Sequence, residues 1–471
     1  MMNIGKKEVN MLSGPISRGL LKIAIPIMVM NVVQSLFNII DMTILKMYDT
    51  DGGYSVGSVG ACGTLIGLIT GLLIGVSSGA NVVIARNIGR GNKESVDRAI
   101  GTAMLFSLVG GVALMIIGTT CAEIFLGWVN CPEKLLDGAM IYFRLYFAGV
   151  PILMIYNFCA SILRSSGDSR RPMIYLTVGG IVKVALTYIF VAFFDMAIKG
   201  VAFATIVSWT VTAVLGVVTL LKTKGSVKLK PRYFRFYKQE LKDMLFIGVP
   251  AGLQQAIYSV ANVIIEATVN SFGPDATTGI SIANNFDGIL YQIAVATSIA
   301  VMPYVSQNVG NGNIKRATQS VSRGIIITVI IAGSFGALSA IFSSQLSSIM
   351  SSNPDVIAYS RQKMIIISST YFLCGINEIM GASLRGMGKP IISTISTLIF
   401  MCGIRFVWVY AIFPFHRNLT FLYLIWPIGW VLSTITLICF FFPTVKQLKA
   451  KYSNQGSAEK DDSADRQEVN A

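Results

Sequence analysis

Apolar residues run almost unbroken for twenty or more positions at a time, and they do so twelve times along the chain. The runs cover residues 20–45, 59–85, 100–127, 139–163, 173–194, 200–221, 244–270, 280–305, 324–348, 361–384, 391–414 and 419–444. A bilayer-spanning helix needs about 20 such residues, so each run predicts one span. Within hydrocarbon the backbone groups find no outside partner, which leaves the helix as the structure that satisfies them. The first run is too long for the apolar part of a signal peptide, carries Asp41 and is followed by further spans. It is therefore expected to stay in the mature protein.

Short polar motifs between the runs repeat. Leu163-Arg164-Ser165-Ser166-Gly167 returns as Leu384-Arg385-Gly386-Met387-Gly388, an offset of 221 residues. Gly89-x-Gly91-Asn92 returns as Gly310-x-Gly312-Asn313 at the same offset, Trp209 as Trp430, and Asn157 falls opposite Glu378. The chain is thus one unit of about 220 residues written twice. Six spans per unit is an even number, so both copies enter and leave on one side and must be parallel repeats about an axis along the membrane normal. The predicted fold is an all-α integral membrane protein of twelve transmembrane helices in two six-helix bundles. The first bundle is 1–221, a basic linker spans 222–243, and the second bundle is 244–445. From 446 to 471 the chain is polar and mixed in charge, which predicts a disordered tail. Duplicated membrane halves are the usual architecture of a secondary transporter.

Composition and charge sharpen this picture. With 53% hydrophobic and 13% charged residues, the chain is too apolar for a soluble protein of its length. Lysines and arginines cluster at the N-terminus (Lys6, Lys7, Arg18, Lys22), after every even-numbered span and in the tail. The other connections hold few, among them Lys46, Lys134, Arg361 and Lys363. The positive-inside rule then puts both termini in the cytoplasm of a multi-pass protein of the plasma membrane. Net charge +15 is accounted for by topology, and no soluble face remains for a nucleic acid. Eight cations between Lys222 and Lys242 suit a linker lying on the anionic inner leaflet. The seven cysteines are scattered singly and His416 is the one histidine, which removes zinc motifs, catalytic triads and histidine proton relays. Without a nucleophile–base pair or a metal cluster, an enzyme is not expected. A monomer without cofactor is.

A charge inside the bilayer costs at least about 3 kcal/mol, so each one is a candidate for function. Asp41 lies late in span one, Glu266 near the end of span seven, Asp287 in span eight and Glu378 in span ten. Lys183 and Arg405 are cations at matching places in the two halves. These groups either pair internally and tie helices together, or they form a coupling-ion site. A desolvated carboxylate can hold a proton, or a sodium ion among oxygens such as those of Asn38 or Asn262. Pro26 and Asn38 align with Pro250 and Asn262 at an offset of 224, which sets Asp41 beside Ile265 and Glu266 one residue on. One residue is about 100° around a helix, so the two acids are related without being equivalent. Gly89-Arg90-Gly91-Asn92-Lys93 lacks the spacing of a phosphate loop and predicts a helix-ending turn. Energy is therefore expected from an ion gradient and not from ATP.

The run Gln34–Asp41, the paired Gly-x-Gly-Asn turns and the paired Leu-Arg motifs, continuing to Pro172 and Pro390, resemble the multidrug and toxic compound extrusion (MATE) family over residues 14–445. The resemblance implies a central cavity opening alternately to either side and efflux of organic cations against inward Na+ or H+. It implies that Asp41 matches the acid of helix one, and that Glu266 and Glu378 match the cation-binding carboxylates of the NorM-like branch. DinF-like members carry Asn-x-x-x-Asp on helix five, where this chain has Lys183-x-x-x-Thr187. A lysine there would keep Asp41 charged, so the expectation is an internal Asp41–Lys183 pair, with Glu266 and Glu378 as the principal ion site. Asn38, Asn157, Asn262, Thr187 and Asp287 are the supporting polar groups. Tyr156, Tyr258, Phe286, Tyr291 and Tyr371 are candidates to line the cavity, where aromatic faces suit lipophilic cations. The alternative is a flippase for a lipid-linked anionic headgroup, whose cavity would hold the anion with cations such as Lys183 and Arg405.

Overall fold

All twelve apolar runs are helical. In the first half these are α1 (Ile16–Met47), α2 (Tyr54–Gly89), α3 (Lys93–Thr120), α4 (Glu133–Ser165), α5 (Arg170–Ala192) and α6 (Ala197–Lys222). In the second they are α7 (Lys238–Asn270), α8 (Pro274–Gly310), α9 (Ile314–Ile341), α10 (Pro354–Ser369 and Tyr371–Gly386, bent by 44° between them), α11 (Pro390–Phe415) and α12 (Leu419–Ser453). The computed structural model describes residues 8–48, 54–129 and 131–468, so Lys6, Lys7 and the last three residues lie outside it. Among the described residues ten helices, or eleven counting bent α10, are long and apolar enough to cross a bilayer. α7 is as long, at 33 residues, but Gln254, Gln255, Asn262 and Glu266 make it more polar. The backbone stays helical to Glu468, beyond the last apolar residues.

The duplication is visible in local geometry. Gly91 and Gly312 take φ of +73° and +74°, and Gly167 and Gly388 take +92° and +84°, a left-handed conformation that glycine adopts at no steric cost. Asn92 and Asn313 then cap the following helices, each side-chain oxygen accepting the backbone N–H three residues on at 3.0 Å. α3 and α9 each end in a short extra helix, Ala122–Trp128 and Ser343–Ser348. The linker makes one 3-10 turn, Pro231–Tyr233, and packs on the start of α3, where Lys230 pairs with Asp97.

The halves meet along α2 against α7 and α8, and along α1 against α8 and α9. Small residues make the contact close. Gly75 and Gly79 of α2 face Gly248 and Gly252 of α7 so tightly that a Cβ on Gly75 would overlap the Gly252 backbone, and one on Gly248 would lie 2.6 Å from the Val76 carbonyl. Small residues four apart allow this approach between membrane helices. At the end that carries both termini, Gly89 abuts the Gln307 backbone and Gly310 the Arg86 backbone. Gln307 Nε2 donates to Ser165 O at 2.7 Å and Arg86 Nη2 to Gly386 O at 3.3 Å, a two-fold related seal. The N-terminal segment crosses it, with Arg316 donating to the carbonyls of Met11, Ser13 and Gly14. Gly75→Leu is expected to cost about 1–3 kcal/mol and to part the halves here, because backbone cannot yield as a side chain does. A cysteine at Ser165, in a background without the native cysteines, should then label faster. Unchanged labelling would count against the contact.

Candidate ion and cargo site

Glu378 is the acid that the fold leaves open. It lies half-buried on the second segment of α10, one helical turn beyond Cys374, in a pocket shared by α7, α8, α11 and α12. Tyr258, Tyr291, Asn377 and Trp430 form much of its wall. The free space is about 10 Å³, room for roughly one water or one bare ion and for no drug-sized molecule. Among the described residues no cation comes within ion-pair distance of Glu378. Arg385, two turns on, instead donates from Nη1 to Gln254 Oε1 at 3.1 Å and to Ser393 Oγ at 3.0 Å. Asn377 is held by Ser433, its Nδ2 donating at 2.7 Å. The Tyr258 and Tyr291 rings stack at 6.3 Å.

Asp41 is arranged differently. Only 1% exposed, it pairs with Lys183 at 2.6 Å, and Lys183 also donates to Asn38 Oδ1 at 3.4 Å. The pair expected from the sequence is present. Thr187, one turn past Lys183, is buried, and its hydroxyl has no hydrogen-bond partner among the described residues. Asn157, opposite Glu378 in the repeat, donates to the Leu153 carbonyl of its own helix.

Asp287 is also neutralised. It pairs with Lys363 at 3.0 Å and accepts a hydrogen bond from Ser368 at 3.5 Å, while Lys363 reaches Asn284 as well. Lys363 corrects the sequence assignment. Placed there in a connection, it is instead 3% exposed inside the first segment of α10. The signal was available, since a buried Asp287 requires a cation that crosses to it. Glu266 is not brought to Glu378. It is exposed on α7, eight residues and so about 12 Å beyond Tyr258.

The aromatic candidates divide. Tyr258 and Tyr291 line the Glu378 pocket. Tyr371 is buried against Trp430, with rings 5.5 Å apart. Tyr156 is in the core of the first half, its hydroxyl donating to Pro172 O at 3.1 Å. Phe286 lines a separate apolar groove of about 680 Å³ between α1, α8 and α9. Arg405, in the place matching Lys183, donates to Asn262 Oδ1 at 2.5 Å and lies 5.1 Å from the rings of both Tyr258 and Trp426.

Two repeated bundles of spanning helices about an ion-sized, half-buried carboxylate pocket define a membrane transporter. The sequence profile described as MatE matches residues 26–189 and 250–411, one stretch in each half, and the chain belongs to that family. It is 26% identical to the probable multidrug resistance protein YoeA of Bacillus subtilis (strain 168) over 81% of this chain and 83% of the relative. It is also 26% identical to the probable multidrug resistance protein NorM of Thermotoga maritima, over 82% and 83%. A solved structure of a multidrug resistance MATE family transporter of the MOP superfamily, in an outward-facing conformation, superposes with a TM-score of 0.87 at 22% identity. That match covers 95% of this chain and all of the other, and establishes the shared fold.

Proposed function

We propose that the protein is an antiporter of the plasma membrane that exports small organic cations, drugs and toxic compounds among them, in exchange for inward Na+ or H+. Both termini lie in the cytoplasm, and the bundles 1–221 and 244–445 rock about the glycine contact to open the cavity to either side. The observation that carries this is Glu378, a half-buried carboxylate with no cation in ion-pair distance among the described residues, in a space of ion size. Glu266 is the second coupling carboxylate on the same half, and Asp41 is a charge already committed to Lys183. Cargo and coupling ion compete for the same negative charge, so that binding of one favours release of the other. The names of the relatives support the cargo class. The seal at the end carrying the termini supports a conformation closed to the cytoplasm.

A flippase of anionic headgroups is less well supported. It needs several free cations, whereas of the two it would use Lys183 is neutralised by Asp41, which leaves Arg405 without an acid among the described residues. The deciding experiment is uptake of ethidium into inverted vesicles under an imposed Na+ or H+ gradient. Gradient-driven uptake is expected under one of the two. Uptake indifferent to both would overturn the antiporter.

A further inference from the structure

The linker carries two phenylalanines that its own packing leaves bare. Between α6 and α7 the strap 231–237 lies on α3, where Thr102 Oγ1 donates to the Arg235 carbonyl at 3.3 Å and accepts from the Tyr237 N–H at 3.2 Å. A Cβ on Gly101 would overlap the Tyr233 carbonyl, so the two backbones touch. Tyr233 turns inward and is buried, whereas Phe234 and Phe236 are 42% and 45% exposed. Docking does not require those rings. The offset of 224 that aligns α1 with α7 sets Met11 opposite Arg235, and the segment before α1 docks in the same way, its Met11 carbonyl accepting from Arg316 of α9. Where that segment has Asn10 and Leu12, the strap has Phe234 and Phe236.

Depth in the bilayer says what the rings meet. Gly101 and Thr102 stand at the start of the apolar run 100–127, so the strap lies at the level where headgroups give way to hydrocarbon. An exposed aromatic ring at that level enters the acyl boundary. Cations alternate with the rings. Arg232 stacks on Tyr233 and Arg235 on Tyr237, each 4.7 Å from the ring centre, and Lys238 follows as the first residue of α7. Lys230 is committed to Asp97 and Arg98 to Glu94, but no acid stands within ion-pair distance of Arg232, Arg235 or Lys238 among the described residues. Three unneutralised cations beside two lipid-facing rings are complementary to a phosphate that carries acyl chains. We propose that this strap seats an anionic phospholipid of the cytoplasmic leaflet, with Phe234 and Phe236 among its acyl chains and Arg232, Arg235 and Lys238 around its phosphate. The leaflet rests on the reading that puts the linker in the cytoplasm. The seat lies at the joint between the halves, since the strap packs on α3 of the first and runs into α7 of the second.

The test is photo-crosslinking of the full chain in nanodiscs of phosphatidylcholine with a minor share of phosphatidylglycerol. p-Benzoyl-phenylalanine replaces Phe236, and the mass of the adduct identifies the captured lipid. Phosphatidylglycerol is expected at about fivefold or more its share of the disc, since each cation near the surface is worth roughly that factor. Arg232→Gln with Arg235→Gln should keep the lipid adduct and return its composition to that of the disc. The same probe at Val109, on the lipid face of α3, should capture lipid at the composition of the disc throughout. Placing the probe at Phe234 repeats the measurement should the protein labelled at 236 fail to fold. A cross-link to a second protein chain, no lipid adduct at either position, equal enrichment at Val109, or enrichment that survives the double arginine variant would overturn the seat. Loss of the enrichment on adding soluble glycerol phosphate would also overturn it, by showing a site for free phosphate. The side of the membrane is scored separately, by labelling Lys228→Cys in inverted and in right-side-out vesicles. Both leaflets of the disc carry phosphatidylglycerol, so a failed cross-link sinks the seat and spares the cytoplasmic placement, and labelling only in right-side-out vesicles overturns that placement whatever the cross-link shows.

Discussion

Replacing Glu378 with Gln is expected to lower gradient-driven ethidium export by about 100-fold or more, with the protein folded and in the membrane. The substitution keeps the shape of the side chain and removes its charge. Breaking a buried charge interaction by deleting one partner costs about 3–5 kcal/mol, which corresponds to roughly 100- to 4,000-fold in binding. Here the missing partner is the coupling ion. In this conformation the space about Glu378 holds an ion, and cargo reaches the same charge only when the cavity opens. Export should fall together with the dependence on Na+ or H+, and facilitated leakage down the ethidium gradient is the residue to expect. Glu266→Gln belongs beside it, since that acid stands apart on an exposed face of α7. Full coupled efflux in both variants would refute the carboxylate site.

The second large effect is on stability. Lys183→Met leaves Asp41 nearly fully buried with no cation, and the expected loss is about 3–5 kcal/mol. Removing both charges, in Lys183→Met with Asp41→Leu, should recover most of it, because an apolar pair of similar volume often matches a buried ion pair. Thermal unfolding of the purified protein measures both. A double variant no more stable than the single one would show that the pair holds α1 to α5 by more than charge. The same cycle on Asp287 and Lys363 is expected to behave alike, since both of its members are buried as well.

Much of this architecture can be read along the chain. Span positions follow from apolar length alone, and the six-plus-six repeat follows from motifs such as the Gly-x-Gly-Asn turns. Those turns then take the same backbone angles and make the same caps in both halves. Such features depend on residues within a few positions of one another. Even the Asp41–Lys183 pair was legible, because a lysine and an acid at that depth require each other.

The sequence by itself determined a twice-written bundle of membrane helices, the turns that join them and the list of charges that hydrocarbon will not tolerate. Only the tertiary structure decided what each charge meets. It moved Lys363 from a connection into a buried pair with Asp287, left Glu266 away from the Glu378 pocket and gave Arg405 two rings in place of an acid. The reason is geometric. In a membrane protein the positions facing lipid, cavity and neighbouring helix are all largely apolar, so periodicity does not say which face is which. Partners such as Asp41 and Lys183, or Arg405 and Asn262, lie more than 100 residues apart and meet only when whole helices pack.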